Sequence, residues 1–245
     1  KKKDTAGLNN SMESLSKSAL NKLDNFSPVY DEQWKYTNVN QFDKFDFNKI
    51  AVFSDLKISN FLLEHLKLED ALEKNINNCQ NIVNEVIPND KNKFILYNMA
   101  YFKAGDYFYL SSGSIADKPI YIKNIIDKNE SNSFYNKRLF FHFDKNSSAT
   151  IVLDESHNFK ALSNIVYEFY LGENSNIELI INSNKPQTTQ ILNLGAKINK
   201  DACLKIFPID ISGKLIKNNS KIGLGAFRNI HGHLINVVII FTFTI

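Results

Sequence analysis

The sequence predicts a mainly β protein, a stacked solenoid of short strands behind an N-terminal helical region. Two observations predict it. The apolar period changes near residue 90, from three and four to two. After the change, three turn-and-strand segments repeat: "NSSATIVLDES" at 146, "ENSNIELIINS" at 173 and "NKDACLKIFPI" at 199. They align on Ala149, Asn176 and Ala202, with spacings of 27 and 26 residues. Self-similarity at that period marks units that bury their apolar face only by stacking on neighbours. The competing architecture is an antiparallel sandwich, because hairpins also produce alternation and turns.

In chain order, "SMESLSKSALNKL" sets Leu15, Ala19, Leu20 and Leu23 on one helical face, with Ser11 or Ser14 as the cap. "ISNFLLEHLKLEDALEKNINNCQNIVNEV", residues 58–86, spaces Phe61, Leu62, Leu66, Leu72, Ile76, Cys79 and Val83 as a helix would. Between them runs "DEQWKYTNVNQFDKFDF", which holds the only Trp, Trp34. With Tyr36 it reads as an anchor pinning the helices to the first coil rather than as a binding surface. Residues 1–90 thus form one region and 91–245 the other. In the second, "FILYNMAYF", "DYFYLSSG" and "KPIYIKNI" read as strands. "RLFFHF", "NIVYEFYL" and "TQILNLGA" precede the three repeats, and "GKLIKNNSKIGL" follows them. Ile151, Leu153, Leu179, Ile181, Leu204 and Ile206 are the expected interior ladders. The Asn-Ser-Ser turn at 146–148 suits a corner, since small polar residues tolerate tight turns and satisfy their own backbone.

Composition narrows the function. The chain has 245 residues, 43% hydrophobic and 22% charged, enough to bury a core. Net charge is +3, and the lysines are scattered among Asn and acids, so no basic stripe for nucleic acid exists. The longest apolar run, "LINVVIIFTFTI", is shorter than the roughly 20 residues of a spanning helix, so no membrane insertion is expected. No secretory signal is visible in "KKKDTAGLNN".

Candidate chemistry is sparse. Cys79 and Cys203 stand apart from any CxxC or Cys/His spacing, which excludes a disulfide framework and a local zinc site. Cys203 reads as a small residue filling a coil interior rather than a thiolate ligand. His231 and His233 in "HGH" give two ligands without a third. His142 alternates with Phe141 and Phe143 and faces away from what they pack on. His65 and His157 have no evident partners. Asp154 and Glu155, with Asp144 near, are the best carboxylate candidates for the alternative reading, a carbohydrate-active or adhesive β-helix. Neighbours on a strand point to opposite faces, however, and cannot act as one acid–base pair. "GLGAF" at 223–227 lacks the Lys-Ser/Thr of a phosphate loop, so no nucleotide-hydrolysing loop is encoded there. No catalytic or metal residue is assigned, and the cofactor-binding residues stay open.

Four segments, "DEQWKYTNV", "FKAGDYFYLSSGSIADKPIYIKN", "HFDKNSSATIVLDES" and "GKLIKNNSKIGL", together resemble the SufB/SufD family of the Suf iron–sulfur cluster assembly system. The WKYT element, Trp34 to Thr37, makes the resemblance SufD-like. The resemblance implies a right-handed parallel β-helix and a non-catalytic scaffold subunit that acts with a SufB-like paralogue and a SufC-like ABC-type ATPase. It further implies a cytoplasmic setting, or an organellar one if a leader has been removed. No cofactor is expected on this chain alone, the cluster being assembled transiently in the complex. The family pattern continues beyond the point where this chain stops, so the chain reads as an N-terminal fragment. Residues 234–245, with no charge, Pro or Gly, read as an unfinished edge that promotes self-association.

Overall fold

A computed structural model describes residues 10–25, 50–51, 55–82, 86, 92–101, 105–125, 133–224 and 236–239. The WKYT element, the HGH histidines and most of the apolar tail lie outside the described residues.

Mainly β structure with few helices is what forms. The elements are α1 (Asn10–Asp24), β1 (Ile50–Ala51), β2 (Asp55–Ile58), β3 (Leu63–Lys67), α2 (Leu68–Glu73), α3 (Cys79–Ile82) and α4 (Lys93–Tyr101). Then come β4 (Gly105–Leu110), β5 (Ile120–Ile125), β6 (Ser133–Phe143), β7 (Ser148–Asp154), β8 (Ala161–Leu171), β9 (Asn176–Ile198), β10 (Cys203–Leu224) and β11 (Asn236–Ile239). They join one mixed sheet ordered β2-β5-β7-β9-β8-β6-β4-β3, with β10 beside β9 and β11 beside β10. Strand β9 serves two walls. Its first half pairs with β7 and its second half with β8, and β10 follows it along both. The sheet therefore folds back through β9 until it nearly closes, barrel-like, around one core.

Pairing is parallel from β4 to β11, and antiparallel where β2 meets β5 and β3 meets β4. These two short strands from the N-terminal region cover the first edge of each wall. Parallel partners step by about one repeat: Ser148, Asn176 and Cys203 lie side by side. The expected alignment on Ala149, Asn176 and Ala202 is thus one residue off at both ends, and the true steps are 28 and 27 residues. The corners explain the slip. Gly113, Asn146, Asn174 and Asp201 occupy equivalent corners with φ of 72°, 58°, 58° and 55°. Only residues that tolerate the left-handed region serve there. Each corner amide donates to the next pass: Gly113 to the Lys145 carbonyl, Asn146 to that of Glu173 and Asn174 to that of Lys200.

The interior ladders form as expected. Ile151, Leu153, Leu179, Ile181, Leu204 and Ile206 are all buried in one core, with Ile151, Leu179 and Ile206 in line across three strands. On the second wall Phe108, Phe141 and Phe169 stack in register, with ring centroids 4.7 and 5.0 Å apart.

Two local expectations fail. Residues 94–101 of "FILYNMAYF" lie in helix α4 rather than in a strand. Asn92 caps it, its side-chain oxygen accepting from the amide of Phe94 at 2.9 Å. Residues 58–67 are strand and turn, not helix, because β3 pairs with β4. Among the described residues no helix is long and apolar enough to cross a membrane.

Candidate functional site

Alternation along β6 decides where the charges go. Lys137 has the parity of Leu139, Phe141 and Phe143 and so points into the core, while Arg138 takes the opposite face, beneath α4. Both are fully buried, and each meets a carboxylate from another pass of the chain.

Inside, the Lys137 ammonium donates to Glu155 Oε1 at 3.1 Å, and Lys185 donates to Glu155 Oε2 at 3.2 Å and to Gln190 Oε1 at 2.7 Å. Burial alone would raise the Glu155 pKa, but the two ammonium groups overcome it and hold the carboxyl far below its usual range. Burial pushes the Lys185 amine down, and Glu155 opposes that shift. His157 stacks on Phe159 at 3.8 Å beside this node. Burial and then Lys185 lower its pKa to about 3, so it is neutral at pH 7.

Outside, Arg138 is ion-paired with Glu168, and its Nη1 lies 3.5 Å from Asn98 Oδ1 of α4. Asn98 also donates to Asn136 and to the carbonyls of Lys137 and Asn164, and Asn164 donates to the carbonyl of Phe94. This amide network fixes α4 across β6 and β8. Along the same face His142 packs between Tyr109 and Tyr170, with Nδ1 2.9 Å from the Tyr107 hydroxyl. Burial lowers its pKa to about 4. At the N-terminal edge His65 Nε2 lies 2.8 Å from Asp106 Oδ1, to which Lys67 also donates at 3.0 Å.

The residues singled out from sequence fall apart chemically. Asp154 lies 3.7 Å from Lys123 on the outer surface while Glu155 is buried in the core, so the two carboxylates never meet. Cys79 sits in the apolar cluster under α2 and α3, where burial pushes the thiol up to about 12, the range of an unreactive thiol. Cys203 does not fill the interior. It is half-buried in the outward row with Ser148 and Asn176, and Ala202 and Leu204 on either side of it turn inward. Among the described residues no group of three or more His, Cys, Asp or Glu is placed to hold a metal ion. What the geometry provides is a body whose buried charges are paired within the fold, Lys137 and Lys185 on Glu155 and Arg138 on Glu168. Lys137 and Lys185 were missed from sequence, although the parity of Lys137 with Leu139 and Phe141 carried the signal.

Residues 125–237 match the family model described as SUF system FeS cluster assembly, SufBD core domain. The span runs from the end of β5 through the parallel passes into β11. Over those residues the chain is similar to that core domain. No curated protein matches the chain.

Proposed function

We propose that the chain is a SufD-like, non-catalytic scaffold subunit of the Suf iron–sulfur assembly complex, acting with a SufB-like paralogue and a SufC-like ABC-type ATPase. The observation that carries this reading is the coincidence of the SufBD core match with the parallel passes β6 to β10. Steps of 27 and 28 residues with a left-handed corner in every pass favour a right-handed parallel β-helix as the scaffold. The WKYT element supports SufD over SufB. The paired and buried charges, an inert Cys79 and a lone Cys203 favour a subunit that holds no cluster alone and leaves ATP hydrolysis to the partner. The setting this reading expects is cytoplasmic or organellar.

The test is anaerobic cluster assembly on a SufB-like and SufC-like pair, with iron and labile sulfide assayed with and without this chain. The reading expects a higher cluster yield with the chain present, and no stable iron or sulfide on the chain by itself. An unchanged yield, or stoichiometric cluster on the isolated chain that is lost in Cys203→Ser, overturns it.

A further inference from the structure

Strand β9 passes from one wall to the other between Asn182, which pairs with Asp154, and Thr189, which pairs with Leu162. The side chains that bracket this crossing both point inward. Lys185 ends the inward row of Ile181 and Ser183, and Gln190 begins that of Leu192 and Leu194. They are 2% and 4% exposed. Hydrogen bonds fix the crossing on both sides: the His157 amide donates to the Asn184 carbonyl at 3.0 Å, and the Thr188 hydroxyl to the Phe159 carbonyl at 3.1 Å. Lys185 Nζ is thereby kept 2.7 Å from Gln190 Oε1 and 3.2 Å from Glu155 Oε2.

An amine, a primary carboxamide and a carboxylate meeting in a buried site are the components of an amide exchange. We propose that Lys185 and Gln190 become joined by an isopeptide bond within the folded chain, with Glu155 carrying the proton. Nζ attacks Gln190 Cδ, and the Cδ–Nε2 bond breaks. The proton that Nζ gives up passes through the Glu155 carboxylate to Nε2, which leaves as ammonia, so the exchange needs no oxidant or reductant. Gln190 Cδ is one C=O bond beyond the oxygen that Nζ already touches, and a small side-chain rotation brings the pair to the about 3–3.5 Å of reacting atoms.

Charge favours the exchange. Two ammonium groups, Lys137 and Lys185, share one buried carboxylate, and an excess of buried charge is costly. Burial pushes the Lys185 amine toward its neutral, nucleophilic form and Lys137 adds to that, against Glu155 and Asp210. Conversion of the amine to an uncharged amide leaves Lys137 and Glu155 as a balanced pair. The same burial keeps out water, which would otherwise compete for the amide carbon.

Intact-mass spectrometry of the full chain, incubated folded and denatured only for the measurement, tests this. The proposal expects a mass below that of the sequence by one ammonia. Fragmentation should give no ions from cleavage between residues 185 and 190, because a single backbone break inside the ring releases nothing. A succinimide at an asparagine shows the same mass loss but hydrolyses in mild base, whereas the isopeptide bond persists. The loss should be absent in Lys185→Arg and at least about 100-fold slower in Glu155→Gln. A parent chain that keeps its full mass, a loss that mild base reverses, a loss that maps elsewhere, or one that Glu155→Gln leaves unchanged each overturns it.

Discussion

The two walls of the sheet are built from the same passes, yet they treat charge in opposite ways. On the wall of β5 and β7 the ion pairs are on the surface, Lys123 with Asp154 and Lys205 with Glu178. On the wall of β6 and β8 the charges are sealed: Lys137 inside with Glu155, and Arg138 under α4 with Glu168. A surface pair loses little when broken, because water takes over the solvation of each partner. A buried pair cannot be broken one side at a time without stranding a charge in a low dielectric. Among the described residues, the wall under α4 is thus the one held by buried charge, and the other keeps its ion pairs at the surface.

The largest effect should come from stranding buried charge. Glu155→Ala leaves two ammonium groups facing each other and should cost about 3–5 kcal/mol in urea unfolding. The combined change Lys137→Met, Glu155→Leu and Lys185→Met should recover most of that loss. A Glu155→Ala protein as stable as the parent breaks the comparison.

Acid sharpens it next. His142 and His157 have folded pKa values of about 4 and about 3 against 6.5 unfolded, so the unfolded chain binds more protons as pH falls through this range. Stability should therefore begin to fall below about pH 6.5. The Glu155 carboxyl is depressed from 4.5, so its contribution is present above that value and is lost as pH falls below it. Urea midpoints against pH should show both phases, and Glu155→Gln should shrink the lower one, leaving the part due to Asp106, whose carboxyl burial would raise but His65 and the nearby lysines hold below its usual range.

A smaller loss is expected where passes touch. A Cβ on Gly172 would meet the Lys145 amide nitrogen at 2.5 Å, so Gly172→Ala should cost about 1–3 kcal/mol in thermal unfolding by forcing two corners apart. Least of all, Lys123→Ala on the wall of β5 and β7 should change stability by about 0–1 kcal/mol in the same assay.

Much of this contrast was legible in the residues. The repeat, the interior ladders and the opposite faces of His142 and Phe141 follow from period-two alternation. The register does not, because likeness between whole segments does not fix where each corner falls. Asn146 and Asn174, which mark the left-handed corners, would have given the step of 28. Helix α4 was hidden because "FILYNMAYF" is apolar nearly throughout and nine residues do not separate a strand from a buried helix. Lys137 and Lys185 were overlooked because charged residues in a strand are expected to face water. Only partners brought from 18 and 30 positions away, Glu155 in each case, make their burial possible. No sequence spacing announces those pairings.

The most direct test of the account is affinity capture of the tagged chain, co-expressed with a SufB-like chain and a SufC-like ATPase. The account predicts that all three are retained together in fixed proportion through a high-salt wash. The chain eluting without either of them would contradict it.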